Sequence, residues 1–191
     1  MAGPLAFAAA TAAGARRMPA YRSRDEAISA LACRGSPGAS VMVAGFLALG
    51  LGTLDLARSI PAPERTSPAV RCMLAVAGVT TIGAGLARCS SRSCPSRLLG
   101  DAGATMSDEL HGVFSMATFL LWIAAPAVSA RAASSVDKTY ASRARVLAGA
   151  TLAAWVTTGV LVSRRSEQWG CLAQRAMAAF ALAWFPLVAA S

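Results

Sequence analysis

Cys89 and Cys94 stand five residues apart, with Pro95 next, on a polar stretch that runs from Ala87 to His111. The stretch holds two of the five cysteines, the single histidine, and three of the nine acids of the chain. Three chemistries suit the cysteine pair. In an oxidising compartment it closes a small disulfide loop, which the chain-entropy model values at roughly 2 kcal/mol. The alternatives are two free thiols, or half of a metal site. A structural zinc site wants four ligands at tighter spacing, and only His111 offers itself as a third, so no metal is expected. Cys33, Cys72 and Cys171 read as isolated small residues near helix ends.

His111 follows Ser107-Asp108-Glu109-Leu110. Ser107 suits a helix N-cap, and Asp108 and Glu109 suit the positive end of the helix dipole. His111 then lies one turn inside, either as an interfacial polar anchor or as a titrating group partnered by Asp108 or Glu109. One histidine cannot supply bis-histidine haem ligation, and no cofactor is expected. Asp55 is the only acid inside an apolar run. It can pair with Arg58 on one helix face, or face the interior as a proton or ion site. Arg175, beside Gln174, is a second candidate intramembrane polar group. No nucleotide-binding glycine motif, nucleophile elbow or zinc-protease motif occurs.

The elements that must hold these residues are apolar. The 191 residues are 55% hydrophobic and 14% charged, against about 25% charged in a soluble domain. A spanning helix needs about 20 apolar residues. Runs at about 39–57, 70–87, 110–130, 146–162 and 171–190 meet or approach that length. Residues 1–15 are apolar but reach only about 22 Å. They are expected to be a short first helix or one clipped by the choice of start codon; a signal peptide would carry its positive charge before the apolar part, and Arg16 and Arg17 follow it. The expectation is an all-α, polytopic transmembrane bundle of six helices, forming a single domain over 1–191.

Seventeen of the eighteen basic residues are arginine. They lie in short tracts between apolar runs, as membrane-flanking loops do, so no nucleic-acid partner is expected; membrane lipids are. Small residues recur four apart at Ala44, Ala48 and Gly52, at Ala77, Thr81 and Gly85, and at Ala150, Ala154 and Thr158, a spacing that lets helices approach closely in lipid. Pro126 removes one helix hydrogen bond in the run 110–130. Charge counts alone leave the orientation open.

Tyr21, Asp25, Ile28, Ser29, Leu31 and Ala32, then Gly35-Ser36-Pro37 and the run through Gly45-Phe46 and Gly50, resemble an actinobacterial membrane family, domain of unknown function 998. Gly3-Pro4 resembles the family's first helix, and Cys94-Pro95, Ser107 with His111, and the stretch Gly170 to Arg175 resemble its later landmarks. The resemblance implies six helices, a bacterial plasma membrane and a Cys/His insert on the outer side. It implies no activity. The leading expectation is a non-enzymatic multi-pass protein whose outer rim, Asp25, Glu26, Cys89, Cys94, Asp108, Glu109 and His111, binds a lipid, small molecule or partner protein. The alternatives are a proton- or ion-coupled transporter built on Asp55 and Pro126, and a membrane enzyme or thiol redox protein using His111 or the cysteine pair.

Overall fold

A computed structural model describes residues 2–60, 67–90, 104–164 and 166–189. Cys94 lies outside the described residues. Six helices follow one another: α1 (Ala2–Arg16), α2 (Ala39–Ser59), α3 (Pro68–Leu86), α4 (Met106–Ala132), α5 (Lys138–Ser163) and α6 (Glu167–Ala189). A 3₁₀ turn at Ile28–Ala32 lies between α1 and α2, and no strand occurs among the described residues. The last five helices are long and apolar enough to cross a membrane. The first, with 15 residues, is shorter than the hydrocarbon core of a bilayer.

Packing follows chain order: α1 on α2, α2 on α3, α3 on α4, α4 on α5, α5 on α6. Contact between α4 and α6 is light, and α1 and α6 share no interface of comparable size. In lipid no hydrophobic force draws helices together, so close approach and interhelical hydrogen bonds must do it. Glycines provide the approach. A Cβ on Gly3 would stand 2.9 Å from the Ala48 carbonyl oxygen of α2, and one on Gly78 would stand 2.8 Å from the Gly50 carbonyl oxygen. Part of the small-residue stripe read from sequence therefore forms contacts: Ala48 and Gly52 meet Gly3, whereas Ala44 is exposed. Hydroxyls provide the bonds. Thr80 of α3 meets Thr118 of α4 at 2.8 Å, and Ser129 of α4 meets Tyr140 of α5 at 2.5 Å. Thr53, Thr81 and Thr151 turn their hydroxyls back to carbonyls one turn earlier, so their polar atoms are satisfied within their own helix.

The helices alternate in direction. The end where α3 and α5 finish and α4 and α6 begin also carries the 3₁₀ turn, and it is called the capped end below. Gly14 of α1 packs on Gly38 at this end and Gly3 on Gly52. The first helix thus covers α2 from its start to seven residues short of its finish.

Candidate functional site

Three successive residues leaving α3 organise the capped end. The Arg88 guanidinium donates from Nε to the Ala32 carbonyl at 3.0 Å and from an Nη to the Cys33 carbonyl at 3.1 Å. The Arg34 backbone N–H donates to the Cys89 carbonyl at 3.0 Å. Ser90 donates its N–H and its hydroxyl to the Asp108 carboxylate at 2.7 and 2.6 Å. The same carboxylate accepts from the Thr105 N–H at 2.9 Å, and the Asp108 N–H returns a bond to the Thr105 hydroxyl. This reciprocal arrangement is a capping box. Thr105, not Ser107, is therefore the N-cap of α4. The correction has a simple cause: the box needs an acid three residues after the cap, and Asp108 stands at that distance from Thr105. Ser107 instead donates to the Arg88 carbonyl at 2.8 Å.

His111 is buried, 8% exposed. It does not pair with Asp108 or Glu109. Its Nδ1–H points at the Ala84 and Ala87 carbonyls of α3, at 2.8 and 3.0 Å. The last carbonyls of a helix have no partner within the helix, and His111 supplies one across the interface. Because both acceptors are carbonyl oxygens, Nδ1 carries the proton. Nε2 then has a lone pair in the neutral ring, and it has no hydrogen-bond partner among the described residues.

A slender cavity of about 60 Å³ lies beneath. Phe7 of α1, Phe46 and Leu49 of α2, Thr81 and Ala84 of α3, and Gln174 and Ala178 of α6 line it, and Ile28 and Ser29 of the 3₁₀ turn contribute at the capped end. From α4 come His111, Ser115, Thr118, Phe119 and Trp122. From His111 to Trp122 is eleven residues, about 16 Å of helix. The walls are mostly aromatic and aliphatic, yet two buried polar atoms in them lack partners: the Trp122 indole Nε1 and the Gln174 Oε1. Trp122 is 5% exposed. An unpaired buried donor or acceptor costs about 1–3 kcal/mol, so these atoms and His111 Nε2 form a set that a bound molecule can satisfy. Five helices contribute to the cavity and α5 does not.

The other residues singled out from sequence scatter. Asp25 and Glu109 are exposed. Glu26 accepts from the Arg22 N–H at 3.2 Å and leaves its other carboxylate oxygen buried without a partner. Asp55 and Arg58 are both exposed on α2, so Asp55 does not face the bundle interior. Arg175 acts as a clamp. Its guanidinium donates to the Tyr21 hydroxyl, to the Ser23 carbonyl at 2.7 Å and to the Glu26 carbonyl at 3.0 Å. It thereby holds the segment after α1 against α6, where the two helices themselves barely meet. Burial is the main cause that raises the Tyr21 pKa above its ordinary value, and the neighbouring Arg175 opposes it.

The cysteines are less isolated than their sequence spacing suggests. The Cys89 thiol is hydrogen-bonded to that of Cys33, and this bond together with burial pushes it well above the ordinary range. Cys171, at the start of α6, is disulfide-bonded. Cys72 is a free, exposed thiol on α3. The pairing of Cys89 with Cys94 involves a residue outside those described. Among the described residues no three His, Cys, Asp or Glu side chains converge to hold a metal ion.

Sequence reasoning missed Trp122, Ser115 and Thr118 as a group. Their spacing from His111, at four, seven and eleven residues, is that of a single helix face, and that signal was present in the run 110–130.

Six helices, five of them able to span a bilayer, with a polar-studded cavity between them, define a multi-pass helical membrane protein. The chain belongs to the family described as "Protein of unknown function (DUF998)", which it matches over residues 1–191. No curated protein and no solved structure matches it.

Proposed function

We propose that this protein binds a slender amphiphile, a lipid-like chain bearing one hydrogen-bonding group, in the cavity along α4. One observation carries the reading: Trp122 Nε1 and Gln174 Oε1 are buried without partners in the mostly apolar walls of the cavity. The pair offers one donor and one acceptor, which a hydroxyl or an amide satisfies. A volume of about 60 Å³ is below the roughly 150 Å³ that accepts a benzene ring, so the cavity takes no ring system, and only the end of a chain lies inside it with the remainder outside the cavity. The poorly packed seam between α1 and α6 is the entry route from the bilayer. The abundance of alanine and glycine favours a bacterial plasma membrane as the setting, and the family resemblance, against the count of basic residues at that end, favours the capped end outside. Transport driven through Asp55 has no support, since that carboxylate lies on the outer surface of α2.

The test is native mass spectrometry of the full chain released from mild detergent. Retention of a defined lipid-like adduct is expected, together with its loss from Ser115→Leu, which fills the cavity, and weaker retention by Gln174→Leu. Equal adducts on the parent and Ser115→Leu proteins, or none on the parent, overturn the reading.

A further inference from the structure

We propose that Cys33 and Cys89 are a disulfide-forming pair that locks the 3₁₀ turn to the segment leaving α3. Their side chains are in hydrogen-bond contact. Their backbones are held in register by bonds that do not involve sulfur: Arg34 N–H to the Cys89 carbonyl at 3.0 Å, and the Arg88 guanidinium to the Cys33 carbonyl at 3.1 Å. Four bonded residues, two on each side, thus fix the approach of the two Cβ atoms, and approach of the Cβ atoms is what a disulfide needs. The pair lies at the same end of the bundle as Cys171, which is itself disulfide-bonded, so the end already carries the product of an oxidising environment. Cys33 belongs to the connection Cys33–Gly38 and Cys89 to the exit of α3, so neither sulfur has to leave a helix to form the bond.

The reaction is thiol–disulfide exchange, and its oxidant is a disulfide, protein-borne or small. Cys89 is part-exposed whereas Cys33 is buried, so Cys89 meets the oxidant first; it attacks as the thiolate after giving up its proton, a step that its raised pKa makes slow at neutral pH. It forms a mixed disulfide and expels one thiolate of the oxidant. The Cys33 thiolate then displaces the second, leaving the Cys33–Cys89 bond. The two protons lost by the cysteines end on the two departing thiolates, and the oxidant is reduced by two electrons. The bond would cross-link the covering turn, whose Ile28 and Ser29 line the cavity, to the segment leaving α3, whose Thr81 and Ala84 line it too. It follows from the cysteine geometry alone and stands whether or not the cavity binds a lipid.

The sequence makes the experiment sharp. Trypsin releases Cys33 in Asp25–Arg34 and Cys89 in 89–92, while Cys94 falls in a separate peptide, 93–97. Membranes carrying the full chain are treated with glutathione disulfide, denatured, blocked with N-ethylmaleimide and digested without reductant. The expected product joins Asp25–Arg34 to 89–92, disappears on treatment with dithiothreitol, and is absent from Cys89→Ser. Recovery of both cysteines as maleimide adducts, or of Cys89 joined to the 93–97 peptide, overturns the proposal.

Discussion

At the scale of single residues, arginine and histidine serve here as donors to backbone carbonyls. Arg88 bonds Ala32 and Cys33, Arg71 bonds the Ile60 carbonyl after α2 at 2.6 Å, Arg175 bonds Ser23 and Glu26, and His111 bonds Ala84 and Ala87. The chain has twice as many bases as acids, so at one-to-one pairing half of the bases find no carboxylate. Helix ends and turns near the membrane surface leave carbonyls without partners, and guanidinium groups with several donors match that need. His111→Ala removes one donor from two buried acceptors. It is expected to destabilise the protein by about 1–3 kcal/mol, with His111→Gln retaining part of the loss, as read by thermal unfolding in detergent. A larger effect of Gln than of Ala would mean that ring shape, and not the donor, matters at this position. None of these roles was legible from the sequence. An arginine beside a membrane span reads as a charge, and its carbonyl partner, 56 residues away for Arg88 and Ala32, leaves no local trace.

At the scale of helices, the outline was legible and the details at the ends were not. The five long apolar runs became five helices, most of them extended at an end by up to eight residues, many of them polar, as Lys138–Ser163 shows against the run 146–162. The reason is that hydropathy marks only the lipid-facing middle of a helix, whereas Asp137 accepting from the Tyr140 N–H at 2.9 Å decides where α5 begins. Tight contacts between α2 and α3 were foreshadowed by glycine, but the pair that meets, Gly50 with Gly78, lies on different runs and could not be matched in advance. Gly78→Leu would put a side chain against the Gly50 carbonyl and the Leu54 side chain. A loss of about 1–3 kcal/mol is expected from overpacking, measured as a lower midpoint of thermal aggregation. Gly149→Leu, where an added Cβ meets open space, serves as the control and should shift it little.

At the scale of the whole molecule, the bundle is a chain-ordered ring with one weak seam. The segment between α1 and the 3₁₀ turn crosses that seam, pinned by Arg175 and Tyr21. The candidate site became readable only at this scale. Its polar stripe sits on α4, but the cavity exists because α1, α2, α3 and α6 leave a gap opposite it, and no run of residues encodes a gap. The rim of acids expected at the surface does not assemble, because Asp25 and Glu109 point outward while His111 points into the bundle. The carbonyl clamps have a further consequence, for a protein surface that meets changing acidity. An arginine side chain keeps its proton throughout the range that proteins tolerate, a backbone carbonyl has none to gain, and His111 donates from Nδ1 whether its ring is neutral or charged. The covering turn is therefore fastened by bonds without a titration point between about pH 5 and pH 8, the interval in which histidine-based switches operate. Tyr21 sets the alkaline limit. Its folded pKa is raised, so its contribution is present below about pH 10, its ordinary value, and fades as pH climbs through the higher folded one. Melting temperature is expected to fall in strong alkali, with a shallower fall in Tyr21→Phe. An alkaline fall of equal steepness in the parent and Tyr21→Phe would show that another group sets that limit.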